Sequence, residues 1–333
     1  MNKPVESREP SRLRSASASQ GVEGNLTPGQ HAWRRFRQNR AAIISACYLV
    51  FLLLAIIVWP AILKISGGTF AQVHNPNQLS DAAFSPPGAQ YWFGTDVHGR
   101  DVFSRILYGA QISLLVGIVG AMVSLVIGVL WGAIAGYVGG RVDSLLMRIV
   151  DVLYSLPTVI FVIVLITTFG EMLKQSHWVE NSPAVAGALR VTLLFVGLGA
   201  VSWLTMARIV RGQVLSLRHR AFVDASRVLG AGHWRILRRH ILPNVYGVII
   251  VYLTMTIPSI ILYESFLSWL GLGIQPPQAS LGSLIASGSG QINSVRIYWW
   301  LIVFPGAILA LTLLALNFVG DALRDAWDPR AEG

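Results

Sequence analysis

The chain has 333 residues, of which 53% are hydrophobic and only 13% charged. That balance excludes an ordinary soluble globular domain, in which about a quarter of the residues are charged. Lysine and arginine outnumber aspartate and glutamate by 26 to 16, but the excess sits in short segments beside apolar runs, a membrane-protein pattern rather than a nucleic-acid-binding one.

Six runs are long enough to cross about 30 Å of hydrocarbon as helices: 41–63, 112–137, 149–169, 191–209, 245–270 and 299–319. Before them lies a polar tail, 1–40, whose Ser-, Arg-, Gly- and Pro-rich portion to about Gln30 is expected to be disordered. The tail ends in HAWRRFRQNR, where Trp33 and Phe36 interleave with arginines. This stretch reads either as a short helix in the headgroup layer or as a plain cytoplasmic anchor. The first run starts too far in, and is too long, for a cleaved signal peptide, so it reads as an uncleaved first span. Cys47 is the only cysteine, which excludes an internal disulfide.

The loop 64–111 carries turn signals at Asn75-Pro76 and Ser85-Pro86-Pro87-Gly88. It closes on FGTDVHGRDVFSRILYGA, in which Asp96 precedes Arg100 and Asp101 precedes Arg105 by four residues. Such acid-first pairs support a helix. The stretch reads as a surface helix leading into the second span, or more sharply as a docking surface for an external partner. In the second span Gly120, Ser124, Gly128, Gly132 and Gly136 put a small residue at every fourth position. A stripe of that kind lets another helix backbone approach closely.

Pro157, Pro258 and Pro305 fall inside the third, fifth and sixth spans, and each predicts a kink because proline removes a helical hydrogen bond. Glu264 is the one acid within the fifth span, twenty residues past Asn244. At 1.5 Å per residue it is expected about 30 Å along, near the far boundary of the bilayer. It reads as a solvated interfacial acid or as a member of a pathway or internal pair.

Twenty lysines and arginines fall in the first tail, the loop after span two, the segment after span four and the last tail, against six on the opposite side. Both termini are therefore expected in the cytoplasm, along with the segment 210–244. That segment holds two short amphipathic patterns. Phe222, Ala225, Ser226 and Leu229 share one face, Gly230-Ala231-Gly232 breaks the helix, and Trp234, Leu237 and Ile241 form a second face stopped by Leu242-Pro243. It is too long for a simple connection. Its apolar faces need the bilayer surface, the ends of the spans or another protein to bury against.

At these residues the chain resembles the permeases of ATP-binding-cassette importers. Their cytoplasmic loop follows a Glu-Ala-Ala, three residues, Gly, nine residues, Ile-x-Leu-Pro pattern. Here Asp224-Ala225-Ser226 is followed after three residues by Gly230, and nine further residues lead to His240 and Ile241-Leu242-Pro243. Asp replaces Glu, Ser replaces the second Ala, and His240 stands where the pattern has Ile. FGTDVHGRDVFSRILYGAQISLLVG, MRIVDVLYSLP, SFLSWLGLGIQPP and FPGAILALTLLALNFVGDALRDAWDP occur in the expected order across about 30–330. They resemble the C-type permease of dipeptide and oligopeptide importers, although the connection 171–184 is longer than usual.

The resemblance implies an all-α polytopic membrane protein of the MetI-like importer permease fold. Its domains would be a cytoplasmic tail 1–40, a six-span region 41–319 with a periplasmic loop 64–111, and a cytoplasmic tail 320–333. It implies no enzyme activity and no cofactor in this chain, ATP and Mg²⁺ belonging to partner subunits. Those partners are a second permease subunit, two ATPases and a periplasmic or extracellular substrate-binding protein, in a bacterial inner membrane. Asp224 would pair with a basic group on an ATPase, Ala225 and Ser226 would keep the contact close, and Gly230 would permit the bend.

The residues test this independently. Lys3, Lys64 and Lys174 are followed by Pro, Ile and Gln, so no Gly-x-x-x-x-Gly-Lys-Ser/Thr phosphate loop exists here. Seven histidines include no His-Glu-x-x-His pair, and no metal site is expected. The rival reading is an autonomous secondary transporter or channel, which needs ionisable or selectivity groups in mid-membrane that the spans almost lack. Nickel or another small solute is the alternative cargo. Lipid contact is compatible with either reading.

Overall fold

The computed structural model describes residues 28–174, 183–276, 278–292 and 296–327. The tail expected to be disordered lies almost wholly outside them. So does the middle of the long connection 171–184.

Twelve helices appear in chain order among the described residues: α1 (Pro28–Gln38), α2 (Arg40–Ser66), α3 (Gly68–Val73), α4 (Val102–Val138), α5 (Gly140–Ser155), α6 (Thr158–Lys174), α7 (Pro183–Leu217), α8 (Ala221–Val228), α9 (His233–Ile236), α10 (Leu242–Trp269), α11 (Leu281–Ser289) and α12 (Trp300–Trp327). A π-helical turn, Leu237–Ile241, joins α9 to α10. Among the described residues, β structure is limited to an isolated bridge between Thr95 and Asp101. Four stretches are long and apolar enough to cross a membrane: Arg40–Ser66, Val102–Val138, His233–Trp269 and Trp300–Ala326. A fifth results if the bent pair α5–α6 is taken as one crossing.

That bend departs from the kinked span expected at 149–169. Residues Gly140–Ser155 and Val159–Thr168 meet at 92°. Leu156, the residue before Pro157, is extended at φ −80°, ψ 137°, the geometry that a following proline ring favours. Pro258 and Pro305, by contrast, sit inside unbroken helices. The last helix also runs on to Trp327, so most of the segment expected as a tail at 320–333 continues the bundle.

The small-residue stripe does what its spacing predicts. α4 and α7 form the most extensive helix pair of the bundle. A Cβ added to Gly128 would lie 2.6 Å from the Met206 Cβ, and one on Gly136 would lie 2.8 Å from the Arg211 carbonyl oxygen. The backbones are as close as the missing side chains allow.

The loop after α2 folds compactly against this bundle. Thr95 N donates to the Ser85 carbonyl at 2.9 Å, and the Trp300 indole donates to the Thr95 carbonyl at 3.2 Å. Phe84 stacks on Tyr298, and Phe93 on Phe304, each with ring centroids 4.1 Å apart. The expected surface helix does not extend over 96–101; α4 begins at Val102. Asp101 instead caps α4, accepting from the Ser104 backbone N–H at 3.1 Å, and Asp101, Ser104 and Arg105 are buried. An acid before a helix satisfies one of its free N–H groups, and that cap competes with the Asp101–Arg105 pair. Arg105 turns to Asp96 (3.6 Å) and the Pro76 carbonyl (3.1 Å), whereas Asp96–Arg100 forms as expected at 2.7 Å.

Candidate functional site

At the arginine-rich end of the bundle the chain makes an elbow between α7 and α10. α8 ends in a Schellman turn: Gly230 N donates to the Arg227 carbonyl at 2.9 Å and Ala231 N to the Ser226 carbonyl at 3.0 Å. Gly230 holds φ +79°, a left-handed conformation that glycine adopts without Cβ strain. The Gly bend read from sequence is therefore the C-terminal cap of α8.

The second stop is absent. Leu242-Pro243 does not end the helical path; His233–Trp269 is one continuous helical stretch. Pro243 occupies the first turn of α10, and the π turn just before it reroutes hydrogen bonds that proline cannot donate. The second half of the elbow, from His233 on, is thus a direct extension of α10.

Two faces of the elbow differ in what they meet. Val223, Ile236, Leu237 and Ile241 are buried with Met206, Val210 and Val214 of α7, Val245 and Ile249 of α10, and Ala133 of α4. Arg218 reaches back to the Gly136 carbonyl at 3.2 Å, and the Tyr137 hydroxyl meets His233 Nδ1 at 3.0 Å. Facing outward are Phe222, Val228, Leu229 and Trp234, with Val228 89% and Leu229 87% exposed. Trp234 therefore parts from Leu237 and Ile241, with which its spacing had grouped it.

The residues carried over from the resemblance all lie on or beside this elbow. Asp224 is exposed and accepts from Arg227 Nη1 at 2.8 Å within α8. Ala225 is exposed, and the Ser226 hydroxyl donates back to the Phe222 carbonyl at 2.8 Å. Pro243 is exposed while Leu242 is half-buried against the core.

Glu264 stands at the other end of α10, as its axial count predicts, but it is not solvated. Its side chain is fully buried. Ser268 Oγ donates to Oε1 at 2.6 Å, and Ser113 Oγ of α4 approaches Oε2 at 3.5 Å. Ser113 in turn accepts from the Leu281 N–H at 3.1 Å. The carboxyl group is the centre of a hydroxyl knot tying α4, α10 and α11. The interfacial reading fails because axial counting fixes depth and not rotation about the helix.

Among the ion pairs that sequence spacing does not announce, two join α5 to α7. Arg211 of α7 grips Asp143 of α5 with two bonds of 2.5 and 2.6 Å, and Arg208 reaches Asp151 at 2.7 Å. Arg208 also lies 4.1 Å from the Tyr154 ring centroid. These strap the bent helix α5 to α7 beside the elbow. The partners lie 57 and 68 residues apart, beyond any local spacing signal.

Comparison with known proteins identifies the family. The profile of the family described as "Binding-protein-dependent transport system inner membrane component" matches 128–333. The profile described as "N-terminal TM domain of oligopeptide transport permease C" matches 27–87. The chain is 42% identical over 318 residues to the oligopeptide transport system permease protein OppC of Escherichia coli, covering 96% of each chain. It is 42% identical over 307 residues to the dipeptide transport system permease protein DppC of Bacillus subtilis, covering 92% of this chain and 87% of that one. A solved structure of the MetNI methionine ABC transporter in inward-facing conformations is similar in fold, with TM-score 0.51 at 18% identity over 67% of this chain and 97% of that one. The chain belongs to the binding-protein-dependent transport system inner membrane components, among the permeases of dipeptide and oligopeptide transport.

Proposed function

We propose that this chain is the permease subunit of an ATP-driven peptide importer and couples to its ATPases through the elbow α8–α9. The observation that carries the reading is the outward apolar face of Phe222, Val228, Leu229 and Trp234 on a protrusion whose other face is seated on α4, α7 and α10. Exposed apolar patches of this kind mark interaction sites. Family membership supports a multi-pass inner-membrane protein that is not itself an enzyme.

In this reading the bundle crosses six times. α7 supplies one crossing and the bent α5–α6 pair another, with both termini in the cytoplasm, as the arginine count indicates. The chain pairs with a second permease subunit to enclose the pathway. Two ATPases sit beneath, and an external binding protein delivers peptide. ATP and Mg²⁺ belong to the ATPases. The groove of an ATPase takes α8, with Asp224 released from Arg227 to meet a basic group there. Ala225 leaves room for close approach, and Ser226, whose hydroxyl is already satisfied by its own helix, adds no unpaired polar group. Glu264 joins the pathway only if α11 lifts away from α10, because its carboxyl group is closed in here.

Movement of the ATPases then acts on α10 through the short 229–232 bend and the helical turn of α9. The test is reconstitution of the chain with its co-encoded permease, ATPases and binding protein in proteoliposomes. ATP-dependent uptake of labelled di- and oligopeptides is expected, and it should be lost with Asp224→Arg. Peptide movement by this chain alone down an ion gradient, or normal ATPase co-purification and uptake with Asp224→Arg, overturns the proposal.

A further inference from the structure

At the end of the bundle opposite the elbow, a cleft of about 420 Å³ opens between the 96–105 segment, the end of α10, α11 and the start of α12. Its polar wall is unusual for a surface between membrane helices. Arg100 and Arg105 both line it, their side chains only 13% and 6% exposed, against one carboxylate, Asp96. Asp96 is used by both arginines, at 2.7 and 3.6 Å. The terminal nitrogens of Arg100 bond nothing among the described residues; Arg105 donates from Nη1 to the Pro76 carbonyl, and its buried Nε, the atom 3.6 Å from Asp96, makes no hydrogen bond.

The opposite wall carries side-chain amides. The side-chain amides of Gln278 and Gln291 make no hydrogen bond among the described residues, and that of Gln275 donates only to its own loop, at Gly271 and Gly273. Ile274, Leu284 and Leu301 supply the apolar remainder. Glu264 lies one layer beneath, behind Ser268, and does not line the cleft.

Buried arginine donors that outnumber their acceptors by one carboxylate call for an anion. A surplus of one positive charge matches a monoanion better than a phosphate dianion. A volume in the ordinary range of small-molecule pockets leaves space for much more than an ion, and free amides on the far wall match the donors and acceptors of a peptide backbone. We infer that this cleft is a peptide subsite that holds the terminal carboxylate of a short peptide between Arg100 and Arg105. The inference rests on the peptide-import reading and deepens it by placing a point of contact for the cargo on this subunit.

The test is titration of the full chain in lipid nanodiscs with trialanine and with trialanine C-terminal amide. The acid should bind saturably and the amide about 10-fold more weakly, the loss of one charge-assisted contact. Gln278→Glu, which adds a repelling charge without touching the arginines, should weaken the acid by about 10-fold at unchanged thermal stability. Absence of saturable binding, equal affinity for acid and amide, or an indifferent Gln278→Glu overturns the inference. So does labelling of Gln278→Cys, in a Cys47→Ser background, that is blocked by the external binding protein and not by trialanine, since the cleft is then a protein contact. Uptake by the assembled importer separates the two readings. Uptake without binding here removes the subsite and leaves the importer; binding without ATP-driven uptake does the reverse.

Discussion

Replacing Gly230 isolates one physical effect. No heavy atom lies within 4 Å of a Cβ built on it, so a side chain meets no clash, and the whole cost is that of φ +79°. For an L-residue the left-handed region costs roughly 1–2 kcal/mol, with Asn at the low end because its short polar side chain tolerates it. That is a factor of about 5 to 30 in the population of the seated elbow. The two bonds of the α8 cap would open first, and then Val223, which is fully buried, would lose its cover. Hydrogen exchange at the amides of 229–231 reads this opening directly and needs no partner protein. Exchange should quicken in the order Gly, Asn, Ala, Val, by about 5- to 30-fold at the far end, while the amides of α4 stay as they were. ATPase affinity should fall in the same order and by no more than the same factor. Exchange in Gly230→Val equal to the unaltered protein would refute the assignment of strain to this residue. A loss of ATPase affinity in Asn as large as in Val would refute the idea that the bend, rather than the surface, matters.

Gly128→Leu drives a side chain into Met206 and should lower stability by about 3 kcal/mol or prevent insertion, whereas Gly212→Ala, with nothing within 4 Å, should be neutral or gain up to about 1 kcal/mol of helix stability; thermal unfolding of the purified proteins compares them. Asp143→Ala leaves Arg211 of α7 without its bidentate partner in a half-buried setting, for which about 1–3 kcal/mol is expected, between the surface and buried limits. The double variant with Arg211→Ala should recover part of that loss, and strict additivity of the two changes would count against the strap. Glu264→Gln keeps an acceptor for Ser268 and should cost under about 1 kcal/mol, while Glu264→Ala empties the knot and should cost about 2–4 kcal/mol. Equal unfolding temperatures for the two would remove the knot from the account.

What could be read from the residues was set by the range of the interactions. Span positions follow from run length, because lipid admits little else, and the four long apolar helices lie where the runs do. The α4 stripe was legible for the same reason, since close approach demands small residues at helical spacing. The elbow was half legible. Gly230 announced a bend, but α8 carries two apolar stripes, Val223 on one side and Phe222 and Leu229 on the other, and spacing alone does not say which is seated. Pro157 and Pro258 look alike in sequence; one breaks the chain by 92° and the other sits within a continuous helix. The difference comes from packing. Pro258 is buried inside the bundle while Pro157 is exposed, so only the second is free to let its neighbour become extended.

On the proposed coupling, the path from elbow to cleft joins the two ends of this molecule. His233–Trp269 spans 37 residues, about 55 Å at 1.5 Å per residue, so each degree of tilt about one end carries the other by about 1 Å. A lever of that length is useful only if it does not fold in the middle. Two places invite folding: the π turn at Leu237–Ile241 and the proline at 258. Both are held from the side. Leu237 and Ile241 are buried against α7 and α4, and Pro258 is enclosed. At the far end the Glu264 knot binds α10 to α11 through hydroxyl bonds, and α11 forms a wall of the cleft. A push on α8 therefore passes the 229–232 bend, which the two cap bonds hold, and then runs along one helical stretch to α11 and the cleft wall. Tightness at the elbow and at the knot is thus a condition for transmission, not merely for stability. By the same argument, variants that loosen either end should uncouple ATP hydrolysis from uptake before they unfold the bundle.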